Sequence, residues 1–293
     1  MTFFFAHIFL PLTLALVMMG MGLSLTLNDF GYVLRQPRSL LLGLICQLLL
    51  FPALAMGLAI VSPLSVGFKV GLVLMAACPG GISSGLVTHL FRGNVALSIA
   101  LTACNSFFTL LTIPLTLNAA LAYFMGETQS VRLPISDTAF DIFILTILPA
   151  FVGIAIRRQY PKQAQRLERP LRYAMPLLLG AAFVGVMWSN EGGKTQSIAQ
   201  MLQLVPYAFL LNALGIVGVF CIVRLLGFDR PTQITLPVEA GLHNTSLAIY
   251  ISATLLQNND MTMVGVTYGA ITFATTLFWI SLIARYWASK VAD

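Results

Sequence analysis

Residues 237–246 read Pro-Val-Glu-Ala-Gly-Leu-His-Asn-Thr-Ser and lie in the middle of a long apolar segment. If this segment spans a membrane, Glu239 and His243 lie near the middle of the hydrocarbon, where an ionisable side chain is costly unless another group compensates its charge. Pro237 and Gly241 weaken the helix here, so backbone carbonyls and amides lose their helical partners. A carboxylate beside free carbonyls can bind a cation, and free amides at the start of a half-helix can bind an anion. The alternative is a glutamate that is simply buried by a hydrogen bond within a helix bundle.

The composition is that of a polytopic membrane protein. Of the 293 residues, 58% are hydrophobic and only 9% are charged, whereas soluble domains carry about 25% charged residues. A spanning helix needs about 20 apolar residues, and nine segments meet this need: 4–26, 38–61, 67–91, 94–125, 137–157, 171–190, 203–225, 231–257 and 262–288. We therefore predict an all-α protein with nine transmembrane helices. The long fourth segment is expected to tilt or to end in a surface turn near Pro114.

The lysine and arginine residues predict the orientation of the chain. With the N-terminus outside, 13 of the 16 basic residues fall on the inner side, and the other three, Lys69, Arg132 and Lys194, fall on the outer side. The bias alternates from loop to loop, as the positive-inside rule requires. We therefore expect an external N-terminus and a cytoplasmic C-terminus.

Several classes of function are not indicated. The net charge of +6 comes from basic residues in the loops, so it reports topology and does not predict nucleic-acid binding. The three histidines do not cluster, and the four cysteines lie inside apolar segments without metal-ligand spacing, so no transition-metal site is predicted. The sequence lacks an HExxH motif and a P-loop. We expect no enzymatic activity, no organic cofactor and no obligatory protein partner.

A weak internal repeat relates the two halves of the chain. Residues 78–85 read Cys-Pro-Gly-Gly-Ile-Ser-Ser-Gly, and setting Gly81 on Gly241 places Ser84 on Asn244. In each half the interrupted segment is the second to last, and the two halves run in opposite directions. Interrupted helices at matching places in opposed halves are typical of inverted-repeat transporters with a site at the midplane. A chance match of glycine and small residues is the alternative.

Few other polar residues lie within the apolar segments. Ser98, Thr102 and Asn105 are spaced to share one face of the fourth segment, and Gln47 lies in the second segment. Their oxygens could bind a cation, or these side chains could bond to helix backbone or to neighbouring helices. One carboxylate among neutral oxygens suits Na⁺ or a proton better than Ca²⁺, which prefers several carboxylates.

Four stretches of the sequence resemble the bile acid:sodium symporter family. They are residues 78–81 (Cys-Pro-Gly-Gly), 83–84 (Ser-Ser), 92–98 (Arg-Gly-Asn-Val-Ala-Leu-Ser) and 239–244 (Glu-Ala-Gly-Leu-His-Asn). The resemblance extends from about Gln47 to the last segment. It implies two inverted repeats whose broken helices cross, and a nine-helix chain that lacks the first of the ten helices of bacterial members with known structures.

The resemblance also implies two domains within one membrane unit. The core domain would comprise residues 38–125 and 203–288, and the panel domain residues 4–26 and 137–190. The broken helices would cross at the centre of the core and face the panel.

Two sodium sites that share Glu239 are implied by the same resemblance. The ion-binding positions are Gln47, Ser84, Ser98, Thr102, Glu239, the carbonyls of Ala240 and Leu242, and His243. The chain departs from the family at both sites, because Gly85 stands where asparagine is usual and His243 stands where glutamine is usual. The imidazole could offer a nitrogen, pair with Glu239 or bond to a helix carbonyl, so the number of coupled ions stays open. The positions for substrate are Gly81, Ile82, Asn105 and Asn244.

We therefore expect a secondary active transporter of the bacterial inner (plasma) membrane. It would carry a small organic anion, a carboxylate or a bile-acid-like molecule, in symport with Na⁺ by alternating access. A proton-coupled transporter and an uncoupled facilitator are alternatives, and an uncoupled facilitator would not accumulate its substrate. A substrate-sensing receptor, which would bind without transport, is a further alternative. The other partner is membrane lipid.

Overall fold

The computed structural model describes residues 8–24, 36–81, 83–126, 134–167 and 194–292, together with residues 170 and 181. Within these ranges the chain is helical, and the only β-type pairing is one bridge between two extended segments. The predicted sixth segment, 171–190, lies outside the described residues apart from residue 181. Ile82, a predicted substrate residue, also lies outside them.

Ten helices are described in chain order. They are α1 (Leu10–Ser24), α2 (Pro37–Val61), α3 (Val66–Ala77), α4 (Ser83–Leu90), α5 (Val95–Met125), α6 (Ile135–Gln159), α7 (Lys194–Leu225), α8 (Arg230–Gly241), α9 (Thr245–Leu255) and α10 (Asn259–Ala292). Helices α2, α5, α6, α7 and α10 are long and apolar enough to cross a membrane, and α1, α3 and α9 are shorter apolar helices.

Every predicted segment except 171–190 overlaps one of these helices or a consecutive pair of them. The third segment is the pair α3 and α4, and the eighth is the pair α8 and α9. The all-helical membrane protein expected from composition is therefore confirmed, and the total of nine transmembrane helices stays a prediction.

Helix α5 does not turn at Pro114, where the fourth segment was expected to tilt or to end. The helix runs without interruption from Val95 to Met125, with Pro114 in its interior. Proline is tolerated inside membrane helices because neighbouring groups compensate the lost backbone hydrogen bond. At 1.5 Å per residue its 31 residues extend about 46 Å, which exceeds the roughly 30 Å of a hydrocarbon core. Tilting or protrusion beyond the hydrocarbon therefore accommodates its length.

The interruption of the eighth segment lies after Gly241 and not at Pro237. Helix α8 continues through Pro237, and the Leu242 amide still donates to Val238 O at 3.1 Å. Leu242 itself has an extended backbone, with φ −112° and ψ 102°. The chain leaves the helix here because its next residues pair with the break between α3 and α4.

The two breaks form a short antiparallel bridge. The Gly81 amide donates to Leu242 O at 2.9 Å, and the Asn244 amide donates to Pro79 O at 2.8 Å. Non-helical backbone at membrane depth is tolerated only where it lies within protein or lines a water-filled cavity. Each break therefore satisfies backbone groups of the other, and the two interrupted segments are fixed to each other at this point.

Helices α1 and α6 form a closely packed pair. Gly22 and Gly153 face each other across the contact, and a Cβ on either glycine would overlap backbone atoms of the opposite helix. Small residues of this kind allow membrane helices to approach closely and to pack by van der Waals contact. Both helices belong to the predicted panel domain.

We expect Gly153→Ala to destabilise the protein by about 1–3 kcal/mol, because the added methyl group would force the two backbones apart. Gly57→Ala is the matched control, since a Cβ at Gly57 meets no atom within 4 Å. It should be neutral or stabilising by up to about 1 kcal/mol. Thermal unfolding of the two purified variants distinguishes these effects, and a Gly153→Ala variant as stable as the Gly57→Ala variant would contradict the packing described.

Candidate ion and substrate site at the helix crossing

Glu239 lies beside the crossing and is completely buried. Ser98 Oγ donates to one carboxylate oxygen, and Thr102 Oγ1 donates to the other at 2.9 Å. Gln47 Nε2 lies 3.4 Å from the second oxygen, and Ser84 Oγ lies 3.4 Å from Ser98 Oγ. All these partners are neutral. Within the described part of the chain, the carboxylate is therefore held by dipoles and not by a cationic side chain.

Several helices bring these groups together. The four-residue spacing of Ser98 and Thr102 places them on successive turns of α5. Ser84 lies in the first turn of α4, and Gln47 lies in a π-helical turn of α2, Cys46–Leu50. Such turns occur frequently at functional sites. The structure thus brings together Ser84, Ser98, Thr102 and Glu239, the four residues predicted for the first sodium site.

Gly80 allows the carboxylate to lie against the first break. A Cβ at this position would come within 2.5 Å of Glu239 Oε2 and 2.9 Å of Thr102 Oγ1. Any side chain at position 80 would therefore displace the carboxylate or the hydroxyl. The observed position of the Glu239 carboxylate, beside the second break, therefore requires a glycine at position 80 in the first break.

Two of the oxygens predicted for a second sodium ion, Gln47 Oε1 and Leu242 O, already accept protein hydrogen bonds. Gln47 Oε1 accepts from Asn105 Nδ2 at 2.9 Å, and Gln47 Nε2 donates to the backbone oxygen of Glu239 at 3.2 Å. Leu242 O accepts from the Gly81 amide. The hydroxyls of the first site, by contrast, can rotate from donating to accepting without a change in backbone.

His243 contributes an aromatic ring to the second site and no oxygen. Its ring stacks on Phe51 with centroids 4.2 Å apart, and Tyr268 packs edge-on at 6.1 Å. Neither ring nitrogen has a hydrogen-bond partner among the described residues. The histidine therefore bonds neither to Glu239 nor to a helix carbonyl in this structure. Ala240, another predicted residue of the second site, is buried near the end of α8.

The predicted substrate residues are only partly available to an anion. The Gly81 and Asn244 amides both donate to the opposite break, so they are not free. Asn105 bonds to the glutamine of the ion site. The Asn244 side chain accepts from the Leu247 amide at 3.1 Å and so caps α9, and its Nδ2 points to Met18 Sδ at 3.7 Å. Among the described residues of this predicted set, the side-chain amide of Asn244 is therefore the donor whose partner is only a thioether.

A further polar cluster, which the sequence analysis did not assign, holds the end of α8. Gly241 O accepts from Asn212 Nδ2 at 2.8 Å, from Tyr268 OH at 3.1 Å and from Thr272 Oγ1 at 2.6 Å. Thr276 Oγ1 lies 3.2 Å from the same Asn212 nitrogen. Carbonyls at the end of a helix lack helical partners, so this cluster fixes where α8 stops. The four-residue spacing of Tyr268, Thr272 and Thr276 in the last segment was the available signal.

The arrangement around Glu239 has the chemistry of a site for Na⁺ or a proton. It offers one carboxylate and several neutral oxygens, whereas Ca²⁺ prefers several carboxylates. The described residues contain no group of three or more histidine, cysteine, aspartate or glutamate side chains placed to hold a metal ion.

Comparison with known proteins agrees with this geometry. The Bacillus subtilis (strain 168) protein named "Uncharacterized sodium-dependent transporter YocS" is 28% identical over 290 residues, which cover 97% of this chain and 84% of that protein. The Arabidopsis thaliana protein named "Probable sodium/metabolite cotransporter BASS1, chloroplastic" is 30% identical over 253 residues, covering 86% of this chain and 60% of that protein. The human protein named "Sodium/bile acid cotransporter 4" is 27% identical over 252 residues, covering 84% of this chain and 55% of that protein.

The chain thus spans 55–60% of the plant and human relatives and most of the bacterial one. The profile of the family described as "Sodium Bile acid symporter family" matches residues 11–196, which is more than half of the sequence. The buried glutamate, the paired breaks and these similarities support the same assignment. The chain belongs to the sodium bile acid symporter family and is a membrane transporter, not an enzyme.

Proposed function

We propose that the protein couples the movement of Na⁺ to the transport of an organic anion, by alternating access across the bacterial plasma membrane. The observation that carries this proposal is the fully buried Glu239 carboxylate, which is surrounded by neutral hydroxyl and amide groups at the crossing of two interrupted helices. An ionisable group inside a membrane protein normally pairs with another charge or lies on an ion pathway. A bound cation would supply the missing charge.

Sodium fits the hydroxyl groups around the carboxylate. Ser98 and Thr102 donate to Glu239 in this structure, and each hydroxyl also has lone pairs. When Na⁺ binds, the hydroxyls would rotate so that their oxygens face the ion, and the carboxylate would then contact the ion as well. Ser84 would complete the site from α4. The ion would therefore replace hydrogen bonds by coordination without any rearrangement of the helices.

The same ion would link the two halves of the chain. Ser84 begins α4 just after the first break, and Glu239 lies three residues before the second break, in α8. Ion binding would hold these elements in the arrangement that they have here and so fix the starts of α4 and α9. A substrate that contacts the half-helix starts would then bind better when Na⁺ is present, which is the thermodynamic basis of coupling.

The substrate would be an organic anion such as a carboxylate. The named relatives include a sodium/metabolite and a sodium/bile acid cotransporter, and a carboxylate oxygen is a strong acceptor for a side-chain amide such as that of Asn244. The apolar residues around Asn244 would contact the organic part of the molecule. Ile82 and the Gly81 region complete the proposed substrate positions.

Alternating access would move a panel against a core. The closely packed α1 and α6, together with segment 171–190, would form the panel, and the crossing helices with α2, α5, α7 and α10 would form the core. Rocking of one body against the other around a fixed site is the usual behaviour of inverted-repeat transporters. The N-terminus would lie outside and the C-terminus in the cytoplasm.

A proton-coupled transporter is the second candidate, and the isolation of Glu239 from basic side chains in the described region supports it as well. A proton on Glu239 would neutralise the carboxylate without any other ligand. The two candidates differ in whether Na⁺ is required when a proton gradient is present. An uncoupled facilitator or a substrate-sensing receptor would need no cation at Glu239.

We also propose that one Na⁺ ion is coupled to each substrate. The first site assembles four side chains. In the second site, Gln47 Oε1 and Leu242 O already accept hydrogen bonds from Asn105 and Gly81, and His243 brings a ring where glutamine is usual in the family. A single ion at Glu239 is the stoichiometry that this geometry favours.

Glu239→Gln should fold but lose Na⁺ binding. Glutamine keeps the size of the side chain and its hydrogen-bonding capacity, but it removes the only charge that faces the ion. Breaking a buried charge pair costs about 3–5 kcal/mol, which corresponds to a loss of at least about a hundredfold in Na⁺ affinity. Calorimetric titration of purified protein with NaCl measures the affinity. Asp229→Asn is the control, because it removes one negative charge at an exposed position. Similar Na⁺ affinities in the Glu239→Gln variant and the parent would place the ion elsewhere.

If one Na⁺ ion is coupled to each substrate molecule, the Hill coefficient for the Na⁺ dependence of substrate uptake should be about one. Gly85→Asn should tighten Na⁺ binding by about fivefold, because it restores the amide that is usual in the family at this position. A Cβ at Gly85 meets no atom within 4 Å, so the added side chain has room. Gly85→Ala is the control, since it changes the helix without adding an oxygen. A parent coefficient near two that His243→Gln leaves unchanged would contradict single-ion coupling.

A further inference from the structure

The side-chain amide of Asn244 has a fixed orientation and a poor partner. Its Oδ1 accepts from the Leu247 amide at 3.1 Å, as an N-cap residue does. Because this bond requires an oxygen, the assignment of the amide oxygen and nitrogen is not ambiguous, and Nδ2 must point the other way. There it meets the thioether of Met18 at 3.7 Å.

Met18 is the only hydrogen-bond acceptor that the described residues offer to this nitrogen. A thioether sulfur is a weak acceptor, and both side chains are shielded from solvent, with Asn244 5% and Met18 2% exposed. A buried donor without a good acceptor is unfavourable. An acceptor stronger than the Met18 sulfur would therefore form a more favourable hydrogen bond with the Asn244 amide than the one in this structure.

Met18 reaches the crossing from the other body of the protein. It lies in α1, which packs closely on α6 through Gly22 and Gly153, whereas Asn244 begins α9 beside the crossing. The contact between Met18 and Asn244 thus joins the proposed panel to the proposed core. A movement of the panel away from the core would separate the two residues and expose the amide.

We propose that Met18 is the panel residue that closes on the substrate site and competes with the substrate for Asn244 Nδ2. A carboxylate oxygen forms a charge-assisted hydrogen bond that a thioether cannot match, so an anionic substrate displaces the sulfur. Methionine suits this role because its unbranched side chain moves aside without a change in backbone. Leu14, Val17 and Leu247 belong to the same buried apolar cluster, and they favour a carboxylate attached to an apolar body. This inference rests on the proposed function.

Met18→Gln is the variant that tests the competition. Its amide carbon takes the position of the sulfur, and its oxygen reaches one bond further and is a good acceptor. It should therefore hold Asn244 Nδ2 more firmly than the sulfur does at 3.7 Å. The expected result is that cholate and pantoate, measured in the presence of Na⁺ by calorimetry on the full chain in lipid nanodiscs, bind about fivefold more weakly than to the parent. Sodium affinity should be unchanged, because Met18 does not touch the ion site.

Met21→Gln is the matched control. Met21 lies one turn further along α1 and is also buried. Among the described residues its side chain has no polar partner, and its backbone carbonyl accepts from Ser24 Oγ at 2.7 Å. The control should bind the two probes as the parent does. In the absence of ligand it should unfold at a lower temperature than the Met18→Gln variant, because its amide is left without a partner.

Three outcomes of these binding measurements distinguish a wrong role for Met18 from a wrong proposed function. If the parent binds both probes more tightly with Na⁺, and Met18→Gln binds them as well as the parent, the role of Met18 is wrong and the proposed function stands. Equal losses in Met18→Gln and Met21→Gln would show a general effect of a buried amide and would also overturn the role of Met18. If the parent binds neither probe, with or without Na⁺, the proposed function fails for both carboxylates and the inference fails with it.

Discussion

The rest of the structure depends on the backbone pairing between the two interrupted helices. The amides of Gly81 and Asn244 each donate to a carbonyl of the opposite break, and without these bonds the extended residues would carry unsatisfied polar groups within the membrane. The pairing fixes α8 against α4, and thereby sets the distance between Glu239 and the residues around it. Gly80 is part of the same constraint, because only a residue without a side chain leaves room for the carboxylate.

The Glu239 carboxylate has hydrogen-bond donors for its oxygens, but among the described residues no cationic side chain balances its negative charge. Hydroxyl and amide dipoles hold the carboxylate in place, and they hold it where a small cation would contact several oxygens at once. A cation bound there would contact groups from both sides of the crossing. The proposed ion site would therefore link ion binding to the geometry of the half-helix starts, and the contact from Met18 to Asn244 would link those starts to the proposed panel.

Much of the fold could be predicted from sequence because the signals are local. Apolar length gave the helices, and Pro-Gly-Gly and Glu-Ala-Gly marked the regions of the two breaks, although helix α8 ends at Gly241 and not at Pro237. The four residues of the first ion site came from the family resemblance, and the four-residue spacing of Ser98 and Thr102 placed two of its hydroxyls on one helical face. The structure brings all four side chains together, and their role as sodium ligands stays a prediction. The orientation of His243 and the partner of Asn244 could not be predicted, because each depends on a side chain from a distant helix. The Asn212 cluster was missed although the spacing of Tyr268, Thr272 and Thr276 placed three hydroxyls on one face of the last segment; its target, Gly241 O, lies in another helix.

If ion and anion cross the membrane together, radioactive sodium uptake into proteoliposomes will depend on the substrate. The proteoliposomes contain purified protein and have no sodium gradient across their membrane. A carboxylate that has been shown to bind the protein is then added to the outside. It should stimulate sodium entry in proportion to its own entry. The stimulation should be absent from liposomes without protein and should persist when a protonophore removes any proton gradient. Substrate entry without accompanying sodium entry would contradict the coupling of Na⁺ to the organic anion.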